Sequence, residues 1–454
     1  MLNSFYARYK PYYTDNLRLA IPIVVSQLGH TMVALADSVI VGHFAGTTQL
    51  AAVSLVNSIF ILVLVLGLGI SYGLTPLVAR ENGSKNYLEC GRLLSNSLMI
   101  NIITGFLLFI IVNFGTLLII DHIGQSPEVV ADAKPYLHYL GLSIIPIMIF
   151  QTFRQFTEGL GFTKQAMYIS IWGNLINVIL GIIFVKGMFG IHPMGVKGVG
   201  LSTLIDRLMM ATVMSLYVFR SENFRNYIKN FRITFIDKAR SIQILKIGAP
   251  IAMQYSFEIS AFSGAAILIG TIGVVEQAAH QVAINLASVT YMLSSGIASA
   301  ATIKTGNNLG KKNFIDLRHS ALASYHVILL FMACTAILFV CANGILPFIY
   351  TDDAAVVRIA SHLLIIAGFF QLFDGTQVVG LGILRGLGDV NYPTFITFVA
   401  YWIVGIPLGY FLGIRLGMGV YGIWYGLTFG LLSASILLFF RFQKRTKKLA
   451  YIIQ

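Results

Sequence analysis

Apolar runs of about twenty residues or more recur along this chain, separated by short polar or Gly- and Pro-containing breaks. A run of that length spans a bilayer as an α-helix. Twelve spans are predicted, near 17–44, 51–79, 93–120, 135–157, 165–187, 196–219, 248–272, 280–305, 320–350, 357–384, 393–413 and 418–440. Several are longer than the minimum and have room to tilt or bend. Pro22, Pro76, Pro146, Pro250, Pro347 and Pro407 fall in or near spans as candidate kinks.

The longest polar interruption runs from Arg220 to Lys246 and divides the spans into two sets of six. The two halves resemble each other. A shift of 228 places Pro22 on Pro250, Gly42 on Gly270, Ala51 on Ala279 and Asn57 on Asn285. A shift of 227 places Gly83 and Asn86 on Gly310 and Asn313, and Gly159-Leu160-Gly161 on Gly386-Leu387-Gly388. Six spans return the chain to its starting side, so the repeats are parallel, about a pseudo-twofold axis along the membrane normal. Parallel repeats are a transporter architecture. The expected organisation is an N-terminal segment (1–16), an N-lobe (17–219), a basic linker (220–247), a C-lobe (248–440) and a basic tail (441–454). The fold class is an all-α polytopic membrane protein.

Composition agrees with this pattern: of 454 residues, 57% are hydrophobic and 11% charged, against about 25% charged in soluble domains. The net charge of +13 would suggest nucleic acid in a soluble chain. Here the Lys and Arg residues divide 25 to 5 between the two sides of the membrane. That asymmetry predicts cytoplasmic termini and an orientation signal, with no nucleic-acid partner. The N-terminus carries no cleavable signal pattern, so the first span is expected to be retained. Cys90, Cys334 and Cys341 are odd in number and lack metal spacing, so no disulfide framework is expected.

Acids inside spans carry the chemistry. Glu258 stands about halfway along the seventh span, Asp37 lies in the first and Asp374 in the tenth. A charge at the centre of a spanning helix costs roughly 3 kcal/mol, so such residues face a protein interior or a wet path and mark an ion or substrate route. A desolvated carboxyl that trades a proton for a small cation is what an antiporter needs. Asn174 and Asn177 of the fifth span are candidates to supply amide oxygens beside Asp37, or to join helices. Asp206-Arg207 are adjacent and cannot face each other on a helix; pairing with other helices is expected. Arg154 and Glu158 read as an exposed i,i+4 pair, and Asp352-Asp353 as a solvated loop. His30, His138, His280, His326 and His362 show no ligand spacing. Gly386-Leu387-Gly388-Asp389 lacks the Gly-Lys-Ser/Thr ending of a phosphate loop, so ATP-driven transport is unsupported and no cofactor beyond a coupling ion is expected.

Several stretches carry a resemblance to a known family: Pro22, Gln27, Asp37 and Gly42; Leu50-Ala51-Ala52-Val53-Ser54; Pro250 with Phe257-Glu258. Further on come Ala278-Ala279-His280-Gln281-Val282-Ala283-Ile284-Asn285, the run Gln371 to Val379, Leu384-Arg385-Gly386 and Tyr401-Trp402. Together, in this order, they resemble the multidrug and toxic compound extrusion (MATE) family and its NorM-like branch, over roughly 15–440. The resemblance implies two six-helix lobes around a central cleft, acting as a monomer in membrane lipid. It also implies export of amphipathic, often cationic drugs in exchange for Na⁺ or H⁺.

Position by position, it implies cation coupling at Glu258 and Asp374 in the C-lobe, with Na⁺ a candidate ligand there, and at Asp37 in the N-lobe, accompanied by Asn177. Phe370, Asn174, Gln254, Gln281 and Asn285 are the accessory candidates. Phe370 stands where some relatives carry a tyrosine, and Gly181 where relatives carry Asn or Asp. The alternative within transport is a lipid-linked saccharide flippase of the same superfamily, which calls for a more cationic cleft. An intramembrane enzyme would need a nucleophile–base or paired-His constellation, and the sequence has no HExxH motif.

Overall fold

The computed structural model describes residues 2–122, 124–232 and 236–451; the side chains of 2–6, His30, Ala34, Leu117, Ala450 and Tyr451 lie outside the description. Among the described residues there are twelve long helices and no strand. They are α1 (Leu2–Phe44), α2 (Thr47–Gly83), α3 (Tyr87–Ile120), α4 (Pro127–Gly159), α5 (Lys164–Lys186) and α6 (Val196–Arg220). Then come α7 (Lys238–Gly270), α8 (Val274–Gly310), α9 (Phe314–Cys341), α10 (Ala354–Gly386), α11 (Asn391–Arg415) and α12 (Gly419–Tyr451).

Eleven of the twelve are long and apolar enough to cross a membrane. The exception is α7, the helix of Glu258, whose apolar character is diluted by Gln254, Tyr255, Ser256, Ser260 and Ser263. Each predicted span falls on one helix. Two differences concern ends: α1 is already helical at Leu2, and the ninth span stops at Cys341, with Leu346–Ile349 a separate 3₁₀ turn holding Pro347. The helices start as their sequences dictate. Ser126 accepts from Val129 N before Pro127 opens α4, and Asp353 accepts from Ala355 N at 2.8 Å to cap α10, satisfying first-turn amides. Asp353 is thus an N-cap. Pro76 and Pro146 lie in the first turns after breaks in α2 and α4, near Gly73 and Ser143, where a missing N–H is harmless.

The internal repeat is visible in hydrogen bonds. Thr75 Oγ1 donates to the Gln155 carbonyl at 3.4 Å, and Thr302 Oγ1 donates to the Gly382 carbonyl at 2.8 Å. Both members of the second bond lie 227 residues after the first. At this crossing α8 presents small residues, and a Cβ on Gly386 would come within 2.6 Å of the Thr302 carbonyl. Close backbone approach between small residues is how helices associate in lipid.

Contacts divide the chain into Met1–Val24 with Met253–Gln454, and Val25–Ala252. The boundaries are themselves 228 apart, and differ from the expected 17–219 and 248–440. In the first unit, the start of α1 docks on α9, with Asn16 Nδ2 donating to Ser320 O at 3.0 Å and Ser324 Oγ at 2.9 Å. In the second, Arg240 at the start of α7 pairs with Glu89 at 2.5 Å. The polar stretch is bonded into that unit: Arg232 N donates to Ser95 Oγ, Asp237 N donates to Asn96 Oδ1, and Phe224 is fully buried.

Arg154 and Glu158 correct the sequence reading. They do pair, at 2.6 Å, but their side chains are only 2% and 4% exposed. The reason is tertiary: α2, α3 and α6 pack around this end of α4, and Phe224 of the linker packs against Phe156.

Candidate functional site

The C-lobe site is built from α7, α8, α10 and α11. Helical spacing puts Gln254, Glu258 and Ala261 on one buried face of α7. On α10 the stations Asp374, Val378, Leu381 and Arg385 recur at four, seven and eleven residues, also on one buried stripe. Glu258 is 5% exposed and Asp374 4%. Asp374 and Arg385 both lie within electrostatic reach of Glu258, and Tyr291 and Tyr401 lie within reach of both acids. Two carboxylates this close in a low-dielectric interior are costly when both are charged, unless a cation or a proton joins them.

The walls are aromatic and amide. Phe370 packs between Phe262 and Trp424, with ring centroids 6.1 and 5.4 Å away, and Phe262 also meets Tyr401 at 5.8 Å. Gln377 Nε2 donates to Tyr401 Oη at 3.2 Å, and Trp424 Nε1 donates to His280 Nδ1 at 3.1 Å. Gln371, one turn before Asp374, is fully buried with both amide atoms unpartnered among the described residues. Such a group calls for a ligand or water. Gln254, Tyr255, Glu258, Tyr291 and Arg385 share a cavity of about 10 Å³, the size of one water. Gln281 and Asn285 instead bond to each other at 2.8 Å on an exposed face of α8. A larger cavity, about 420 Å³, lies between α9, α10 and α12, lined by Tyr325, His326 and Phe439; neither acid lines it.

The N-lobe acid Asp37 is 4% exposed. Asn177, with its amide turned to suit its neighbours, donates to Asp37 Oδ1 at 3.2 Å and accepts from Thr203 Oγ1 at 3.1 Å. A Cβ added at Gly181 would meet Ile40 and Ser202 at ordinary contact distances of 3.4 and 3.6 Å. A second acid nevertheless stands in reach of Asp37, namely Asp206 on α6, 3% exposed, with Oδ1 unpartnered among the described residues. Its neighbour Arg207 donates to Ser143 Oγ at 2.7 Å and lies over the Phe60 ring. So Arg207 does meet another helix, whereas Asp206 forms no ion pair among the described residues. Both amide atoms of Asn174 are buried without a partner among the described residues. The His30 side chain lies outside the described residues, and no group of three or more His, Cys, Asp or Glu residues suited to a metal ion occurs among those described.

The sequence reading missed Tyr291, Gln371 and Asp206 as site residues, and it took Arg385 as an orientation charge and as part of the family resemblance, not as a site residue. The spacing of four, seven and eleven residues along α10 was the available signal for Arg385. The others depend on which helices meet.

The MatE family model matches the chain twice, over residues 22–183 and 250–411. The two matches are offset by 228 residues, the offset of the internal repeat. The chain belongs to the MatE family. The relatives it resembles include the multidrug resistance protein NorM of Aliivibrio fischeri, 34% identical over 95% of this chain and 94% of that one. The multidrug resistance protein MdtK of Photorhabdus laumondii is 33% identical over 94% of both. Among solved structures, a eukaryotic MATE transporter, AtDTX14, superposes with a TM-score of 0.87 at 18% identity, covering 98% of this chain and all of that one. An outward-facing multidrug resistance MATE family transporter superposes at 0.85 and 20% identity, over 97% of each. The fold is therefore the two-lobe MatE fold in a multi-pass membrane protein, and MatE proteins are transporters, not enzymes.

Proposed function

We propose that this protein is a secondary active antiporter that exports amphipathic, often cationic drugs in exchange for Na⁺ or H⁺. The observation that carries the reading is the buried pair of acids, Glu258 and Asp374, in mutual electrostatic reach and walled by aromatic rings. The relatives named multidrug resistance proteins support the cargo. Cation or proton uptake relieves the doubly charged state, and a flat organic cation offers the same relief through carboxylate and ring contacts. Drug and ion therefore compete, and alternating exposure to the two sides of the membrane converts that competition into exchange. Asp37, with Asn177 and Thr203, supplies a second acid centre in the N-lobe. The charge asymmetry of the loops supports cytoplasmic termini in a bacterial inner membrane, and the protein acts as a monomer in lipid.

The test is efflux of a fluorescent organic cation from proteoliposomes under separately imposed Na⁺ and pH gradients. Efflux is expected to follow at least one gradient, and to lose that dependence in Glu258→Gln and in Asp374→Asn. Full gradient-driven efflux in both variants would remove the C-lobe pair from the mechanism.

A further inference from the structure

Arg385 ends α10, and it is only 9% exposed. A guanidinium buried this far needs its charge answered nearby. Glu258 of α7 lines the same water-sized cavity as Arg385, with Tyr255 and Tyr291 as the other titratable walls. Asp374 stands eleven residues earlier on α10, about 16 Å along the axis, and Asp389, four residues later, pairs with Arg441 at 2.7 Å and Arg445 at 2.8 Å. The guanidinium lies 5.8 Å from the Tyr255 ring centroid.

The internal repeat shows how unusual this place is. At the offset of 227 that relates the Thr75 and Thr302 hydrogen bonds, Tyr72, Arg154 and Glu158 correspond to Ser299, Leu381 and Arg385. In the N-lobe the place is filled by the Arg154–Glu158 ion pair, closed within one helix. In the C-lobe the acid station has become an arginine, its partner a leucine, and the tyrosine a serine. The charges that the N-lobe closes on one helix are divided in the C-lobe between α7 and α10. A pair within one helix stays closed whatever binds elsewhere. Charges on two helices that line one small cavity can be parted by a competing cation.

We propose that Arg385 is a tethered counter-cation of Glu258, which competes with the coupling ion for that carboxylate and so sets the ion's apparent affinity. The proposal rests on the reading that Glu258 and Asp374 bind the coupling ion. It makes Arg385 a positioning residue: it weakens ion binding enough for release in each cycle, and it keeps Glu258 compensated while the pair is empty.

The experiment uses the full-length protein in proteoliposomes and measures the concentration of the driving ion, Na⁺ or H⁺, that gives half-maximal efflux of a fluorescent organic cation. Arg385→Gln is expected to lower that concentration about tenfold, the order of effect of removing one unit charge that lines the same small cavity. Arg385→Lys, which keeps the charge, is expected to stay within about threefold of the parent. Leu381→Glu gives the guanidinium a partner on its own helix, as in the N-lobe, and is expected to move the midpoint in the same direction as Arg385→Gln. It serves as the second probe if Arg385→Gln does not fold. A reduced maximal rate with an unchanged midpoint in Arg385→Gln, or an unchanged midpoint in Leu381→Glu, would overturn the proposal. Glu258→Gln separates the two levels: gradient dependence retained there sinks the underlying site, whereas dependence lost there with an unmoved Arg385→Gln midpoint sinks the role of Arg385 alone.

Discussion

Replacing Glu158 with Leu would leave the Arg154 guanidinium without its carboxylate at a position where its side chain is only 2% exposed. At their 2.6 Å separation, and with an effective dielectric of about 20, the attraction is about 6 kcal/mol. Desolvation of both ions offsets part of it, and breaking a buried pair by removing one partner typically costs about 3–5 kcal/mol. Removing both partners is different. Arg154→Leu with Glu158→Leu eliminates the pair and the unanswered charge together, and is expected to lie within about 1 kcal/mol of the parent. The reporter is Cys90, which is fully buried in the same unit. In a background with Cys334 and Cys341 replaced by Ala, a fluorogenic thiol reagent in detergent reads the unfolding of that unit as temperature rises. The single variant should lower the midpoint by about 10 °C, and the double variant should restore most of it. A shift under about 2 °C in the single variant, or a double variant as unstable as the single, would show that the pair does not hold this end of α4.

Other expectations follow from the same packing. Gly382→Val places side-chain atoms against the Ala298 carbonyl, so α8 and α10 must separate at a cost of about 1–3 kcal/mol, read as a lower C-lobe unfolding midpoint. His280→Leu leaves the Trp424 indole N–H without its 3.1 Å acceptor in a buried site, a loss of about 1–3 kcal/mol; intrinsic fluorescence of Trp424, in a background lacking Trp172 and Trp402, should report the loosened ring. Cys341 is exposed at the far end of α9 from the basic 304–318 loop, whereas Cys90 is buried. A membrane-impermeant maleimide added to intact cells should label Cys341 and leave Cys90 untouched; labelling of Cys341 only after the cells are broken would reverse the proposed orientation.

The twelve helices were legible because lipid imposes one strong rule, that a spanning segment satisfies its own backbone and shows apolar side chains. Even α7, whose polar residues keep it below the other helices in apolarity, was predicted as an apolar run of membrane length. The acids Glu258, Asp374 and Asp37 were legible for the converse reason: a carboxyl in such a segment is too costly to be incidental. Arg154 and Glu158 were misread because an i,i+4 pair looks the same whether lipid, water or protein surrounds it. Asp206 was read as a helix-pairing residue, since its nearness to Asp37 depends on α1 and α6 meeting beside α5.

The sequence by itself determined the spans, their order, the parallel repeat and the membrane-buried acids, all of which follow from hydropathy and spacing along one chain. The tertiary structure decided which charges answer which. It enclosed Arg154 and Glu158, brought Asp206 within reach of Asp37, and set Arg385 and Glu258 on the wall of one small cavity. The physical reason is that burial and the pairing of charges belong to the space between helices, which no single segment encodes.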